Sequence, residues 1–190
     1  MTARENGRTE GQARMFVSLD PPSGAREEAA AWGREVTRTN RGLRPVSPAS
    51  IHLTLAFLGT RPLAEVDLMA EAIDRALREV GELEGGAPLW LPKRRPRALA
   101  LEVREASGSL EELRSDLVEG LGSLTGWEPE RRGFLPHLTV GRASRGFRPN
   151  RGGLPPVPAL RFLPEAITLY RSQLDPEGAR YESLYTAPLG

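Results

Sequence analysis

The sequence predicts two related lobes of strand and helix that share one cleft, and three observations lead there. The chain has only two histidines, and each opens a His-Leu-Thr-aliphatic stretch: His52-Leu53-Thr54-Leu55 and His137-Leu138-Thr139-Val140. In an extended strand alternate side chains share a face, so each His points with its Thr while the aliphatic residues point to a core. An offset of 85 residues carries the first stretch onto the second and brings helix positions with it: Ala25 onto Leu110, Trp32 onto Leu117, Val36 onto Leu121. The same offset sets Phe16 on Leu101, so strand, helix and motif strand recur in order. Two such strands facing one another would gather two imidazoles and two hydroxyls around a single small polar group.

Composition sets the outer limits. A chain of 190 residues with 39% hydrophobic content can bury a core as one large domain or two small lobes. Charges nearly cancel, 26 basic against 25 acidic, so no global field calls for nucleic acid and only local patches could. All the basic residues but Lys93 are arginine, which fits phosphate recognition and compositional bias equally well. The absence of cysteine excludes disulfides, a thiolate nucleophile and a Cys-type zinc site. No apolar run is long enough to span a bilayer, and the polar start has no signal-peptide core, so a cytoplasmic protein without a membrane partner is expected.

Residues 1–13, rich in Gly, Thr, Arg and Glu, read as a flexible leader, and residues 14–190 as one bilobal domain. Met15-Phe16-Val17-Ser18-Leu19 is a short buried strand, and Asp20-Pro21-Pro22-Ser23 turns into a helix over 25–38 whose inner face is Ala25, Ala29, Trp32 and Val36. Pro45 and Pro48 interrupt regular structure before the first motif strand, 51–58, which stops at Gly59. A second helix is expected over 63–80, with Val66, Met69, Ile73, Ala76 and Val80 in its stripe. Glu84-Gly85-Gly86-Ala87-Pro88 reads as a turn, and Lys93-Arg94-Arg95-Pro96-Arg97 as a solvated basic turn between strands at 89–91 and 98–103. A helix over 109–124 follows, opened by the capping-box pattern Ser109-x-x-Glu112, with Leu110, Leu113, Leu117 and Leu121 inside. After a loop at 126–133 comes the second motif strand, 137–142. A long Gly-, Pro- and Arg-rich loop fills 145–158, and two closing strands, 165–171 and 181–187, flank a turn at 175–178.

The chemistry follows from the paired motifs. With an unperturbed pKa of about 6.5, one imidazole can take a proton and a second can give one near neutral pH. At a phosphodiester, one histidine would activate the attacking oxygen and the other protonate the leaving one, while each Thr hydroxyl holds a non-bridging oxygen and nearby arginines stabilise developing charge. Two histidines with no carboxylate in either motif make a poor zinc site, so no metal or other cofactor is expected. A lone histidine in a strand is more often structural than catalytic. The same Thr at the same offset in both copies of a repeat favours function.

The two tetrapeptides resemble the paired H-x-T-x motifs of the 2H phosphoesterase superfamily, and more closely the RNA 2′,3′-cyclic phosphodiesterases, once called 2′-5′ RNA ligases. Supporting stretches are Met15-Phe16-Val17-Ser18-Leu19-Asp20, Ala56-Phe57-Leu58-Gly59, Pro129-Glu130-Arg131-Arg132-Gly133-Phe134 and Leu169-Tyr170-Arg171-Ser172-Gln173-Leu174. The resemblance spans residues 14–189. It implies an α+β fold of two pseudo-symmetric lobes of antiparallel sheet with outer helices around a central cleft, acting on RNA with a 2′,3′-cyclic phosphate terminus without metal. By motif position His52 would be the proton donor to the leaving 3′ oxygen, His137 the proton acceptor from water, and Thr54 and Thr139 would bind phosphate. Members of that family often carry Arg directly before the second Pro-His, where this chain has Leu135, so that contact is either missing or supplied by Arg131, Arg132 or Arg142. Plain alternation aims Arg142 away from the His137–Thr139 face unless a bulge re-aims it. A monomer is expected. A small-nucleotide cyclic phosphodiesterase, a 2′-5′ ligase or a non-catalytic RNA-end binding module are the alternatives, and Phe57, Phe134, Tyr170 and Tyr185 are the aromatics that could stack on bases.

Overall fold

The computed structural model describes residues 11–131, 133–150, 153–175 and 178–189. In chain order the elements are β1 (Gln12–Asp20), α1 (Ser23–Thr39), β2 (Leu43–Pro45), β3 (Leu53–Pro62), α2 (Val66–Ala76), β4 (Leu83–Leu91), β5 (Ala98–Glu105), α3 (Ser109–Thr125), β6 (His137–Ala143), β7 (Arg161–Phe162), β8 (Ala166–Asp175) and β9 (Gly178–Pro188). The strands form one antiparallel sheet in the order β7-β4-β5-β6-β3-β1-β8-β9, with β2 added to β6. The expected α+β architecture of two related halves is therefore present, joined where the two motif strands meet.

That junction is a single pair, Leu53 opposite Leu138, both fully buried. One half of the sheet runs outward from β3 and the other from β6, so the pair lies on a local two-fold axis. The helices cross this axis. α1, which follows β1, packs on β6 and β2, whereas α3, which follows β5, touches β3 and packs on α2. Their inner faces are the expected ones: Ala25, Ala29, Trp32 and Val36 on α1, and Leu110, Leu113, Leu117 and Leu121 on α3. Each fully buried leucine contributes roughly 2 kcal/mol of transfer free energy, so this face alone commits α3 to the sheet. Close approach of α1 to β6 depends on Gly33, where a Cβ would sit 2.6 Å from the Val140 carbonyl oxygen.

Several local expectations are corrected. The helix expected over 63–80 is one 3-10 turn followed by α2, which ends at Ala76 because Leu77 turns extended; Val80 is still buried, from outside the helix. The Gly85-Gly86 stretch is no turn but an irregular part of β4. Its glycines permit close approach: a Cβ on Gly85 would lie 2.9 Å from the Leu160 Cβ, and one on Gly86 2.9 Å from the Glu102 Oε2. The capping box does not form. Gly108, at φ +88°, is the residue before α3, and the Glu105 carboxylate accepts from the Ser107, Gly108 and Leu110 N–H groups, while Ser109 Oγ accepts from the Gly81 N–H. β2 and β7, three and two residues long, have no counterpart in the sequence reading. The repeat keeps its offset of 85 in helix and motif strand, but Leu19 lies opposite Leu53 and Leu101 opposite Leu138, so β1 maps on β5 three residues earlier than the uniform shift implies. Residues 1–10 of the expected leader, and Pro176 and Glu177 of the expected turn, lie outside the described residues.

Candidate active site

An antiparallel pair centred on Leu53 and Leu138 sets His52 at the register position of Thr139 and Thr54 at that of His137. With both leucines directed into the core, all four motif side chains stand on the opposite, concave face. Each is partly buried. The local two-fold thus brings together two imidazoles and two hydroxyls, as the duplicated motif implies.

The rings are anchored alike. His137 Nδ1 lies 2.7 Å from the Leu135 carbonyl oxygen, and the His52 ring hydrogen-bonds the Ser50 carbonyl, in each case two residues upstream. Donation from Nδ1 leaves Nε2 of His137 free to handle a proton in the cleft. The environments of the rings differ. His52 is stacked on Phe16, with centroids 4.8 Å apart at 28°, and meets Tyr181 edge-on at 5.2 Å. Burial among these rings, then the Arg142 charge, and more weakly the charges of His137 and Arg26, lower the His52 pKa from 6.5 to about 4, against the opposing hydrogen bond to Ser50. His52 is therefore neutral at pH 7 when the cleft holds no anion.

Arg142 reaches this face through a bulge. β5 pairs Glu102 with His137, Ala100 with Thr139, Leu99 with Gly141 and Ala98 with Arg142, leaving Val140 as an extra residue. Since Ala98, Ala100 and Glu102 alternate regularly on one side of β5, Arg142 is turned onto the side of His137 and Thr139. The first lobe has the same device: Ser18 pairs with Thr54 and Val17 with Ala56, so Leu55 is extra, and Phe57 is the counterpart of Arg142. Of the other candidate cations, Arg131 is exposed in the loop before β6 and is absent from the charges that act on His52. Arg132 lies outside the described residues.

Phe57 and Tyr170 do lie on the concave face, grouped around Phe16, whereas Tyr185 is turned to α2, its hydroxyl donating to Asp74 at 2.5 Å, and Phe134 lies under the Arg114 guanidinium at 4.5 Å. Sequence reasoning missed Phe16 and Tyr181 as cleft residues. The alternation of β1 held the signal for Phe16, since Met15, Val17 and Leu19 take the core side. It also missed Asp20, which is buried on the His52 side of the sheet and accepts from Thr168 Oγ1 at 2.7 Å, the Tyr170 hydroxyl at 3.0 Å and Ser18 Oγ at 3.2 Å. Burial and the Asp20 charge, together with that hydrogen bond, raise the Tyr170 pKa to about 12, so the phenol stays a donor. Glu102 is the counterpart of Asp20 across the axis, opposite His137, and pairs with Arg104 at 2.6 Å. Among the described residues no three His, Asp or Glu side chains come together as a metal site.

The chain is similar to known proteins in sequence and in fold. Residues 19–97 match the family model described as LigT like Phosphoesterase. The RNA 2′,3′-cyclic phosphodiesterase of Thermus thermophilus is 34% identical over 194 residues, covering 90% of this chain and 87% of that one. The Escherichia coli K12 protein of the same name is 30% identical, covering 67% and 70%. Among solved structures, Escherichia coli LigT complexed with 3′-AMP superposes with a TM-score of 0.75 at 26% identity, over 94% of this chain and 98% of that one.

Proposed function

The chain belongs to the LigT-like phosphoesterase family, and on that premise we propose that it hydrolyses RNA 2′,3′-cyclic phosphate ends to 2′-phosphomonoesters by metal-independent acid–base catalysis between two histidines. The observation that carries this reading is the symmetric placement of His52, Thr54, His137 and Thr139 about the Leu53–Leu138 pair. A cyclic phosphate seated on the axis meets a hydroxyl and an imidazole from either side. Thr54 and Thr139 hold its two non-bridging oxygens. His137, as base, takes a proton from water as the oxygen attacks phosphorus; the bond from phosphorus to the 3′ oxygen breaks, and His52 gives that oxygen a proton. Arg142 offsets the charge that builds on the phosphoryl oxygens.

His52 is short of a proton before substrate arrives, because its pKa is lowered to about 4. The bound phosphate carries a negative charge that opposes Arg142 and favours the imidazolium, so substrate binding itself loads the acid. His52→Ala and His137→Ala should each lower turnover by about 10²- to 10⁴-fold while thermal unfolding and circular dichroism stay close to those of the parent protein. Near-parental rates in both variants would overturn the proposal.

A further inference from the structure

β2 sets a second arginine against Arg142. The pairs Leu43–Ala143, Arg44–Arg142 and Pro45–Gly141 make Arg44 and Arg142 direct cross-strand neighbours. Leu43 is buried in the core, so Arg44 points the other way, onto the concave face, and both arginines are exposed. Like charges directly opposite one another are destabilising, and no acid among the described residues is paired with either of them. Several arginines elsewhere on the molecule are matched with acids, among them Arg61 with Glu65, Arg161 with Glu84, and Arg78 with Glu112 and Asp116. Among the described residues neither Arg44 nor Arg142 has an ion-pair partner. The next strand adds no acid either, since Ala98 lies on the far side of Arg142.

Two opposed, uncompensated guanidiniums beside the histidines call for an anion. Arg142 already faces His52 and suffices for one phosphate on the two-fold axis, and Arg44 stands beside it across the β2–β6 pair, about 4.8 Å away, as a second cation where β2 joins the edge of β6 that β3 also uses. We propose that Arg44, with Arg142, forms a subsite for a second phosphate: the phosphodiester that joins the terminal nucleoside to the rest of the RNA. This rests on the hydrolase reading above. Arginine's planar fork takes two oxygens of such an anion; Arg44 grips the diester and Arg142 spans it and the reacting phosphate. The subsite makes the enzyme an RNA-end hydrolase by preference, because a cyclic mononucleotide has no second phosphate to offer.

The test compares kcat/KM for a dinucleotide ending in a 2′,3′-cyclic phosphate with that for the 2′,3′-cyclic mononucleotide of the same terminal base, in the parent protein, Arg44→Gln and Arg44→Lys. The parent should prefer the dinucleotide, Arg44→Gln should cut that preference by about tenfold, as expected of one charge-assisted contact, and Arg44→Lys should restore part of it. Affinity for the dinucleotide should also lose about 0.7 from its log–log salt slope in Arg44→Gln, the amount for one phosphate contact on a single strand. An unchanged substrate ratio in Arg44→Gln would overturn the subsite. Calorimetric binding of the two products, the dinucleotide 2′-phosphate and the mononucleoside 2′-phosphate, separates the two readings without turnover. If neither cyclic substrate is cleaved, the hydrolase reading fails, whereas a tighter dinucleotide product whose advantage vanishes in Arg44→Gln upholds the subsite and equal affinities refute it.

Discussion

Protonation of His52 is where the environment of the cleft should be most measurable. The ring packs against Phe16 and Tyr181 and faces Arg142, and its pKa falls from 6.5 to about 4. That difference corresponds to about 3 kcal/mol between the two protonation states. The unfolded chain binds a proton at this residue below about pH 6.5 that the folded chain refuses until about pH 4, so the folded state loses stability as pH falls through that window. About 2 kcal/mol of the loss should have accumulated by pH 4.5. With only two histidines in the chain, His52→Gln assigns both ring signals in a ¹⁵N-edited NMR titration. His52 should titrate near 4 in the free protein, and Arg142→Gln should move it up, since the Arg142 charge is the largest single charge acting on the ring. Urea unfolding at pH 7 and 4.5 should show the parent losing about 2 kcal/mol more than His52→Gln. A His52 midpoint near 6.5, with equal pH sensitivity in the two proteins, would refute the reasoning.

Two other perturbations probe the scaffold. Arg114 reaches from α3 to the extra residue of the first bulge, its Nε donating to the Leu55 carbonyl at 3.2 Å, and its guanidinium lies over Phe134; Arg114→Ala should cost about 1–2 kcal/mol in denaturant unfolding, and an unchanged midpoint would show that the contact contributes nothing. Gly33→Ala would place a methyl 2.6 Å from the Val140 carbonyl oxygen. Alanine is intrinsically better in a helix by about 1 kcal/mol, but the clash is with backbone on the strand that carries His137, so the melting temperature should fall, and a rise would contradict the packing of α1 on β6.

What the sequence made legible was what regular periods carry. Alternation in 52–55 and 137–140 sufficed to sort His and Thr from the aliphatics, and apolar spacing of 3–4 residues located the buried faces of α1 and α3. Departures from the period were hidden. Leu55 and Val140 each add one residue to a strand, and only the pairing of β1 and β5 reveals that Phe57 and Arg142 are thereby turned into the cleft. Gly85 and Gly86 looked like a turn because glycine marks both turns and close approach, and the neighbours that decide, Leu160 and Glu102, are remote in sequence. β2, at three residues, is too short for any period; its existence depends on the edge that β6 offers beyond the bulge. Asp20 acquires its role only when β8 supplies Thr168 and Tyr170.

The most direct test of the hydrolase reading is the identity of the product. Purified protein incubated in EDTA with an RNA oligonucleotide ending in a 2′,3′-cyclic phosphate should convert it to the 2′-phosphate at an undiminished rate, with a bell-shaped dependence of kcat/KM on pH. Formation of the 3′-phosphate would contradict the assignment of the 3′ oxygen as leaving group, and turnover abolished by EDTA and restored by a divalent metal would contradict the two-histidine mechanism.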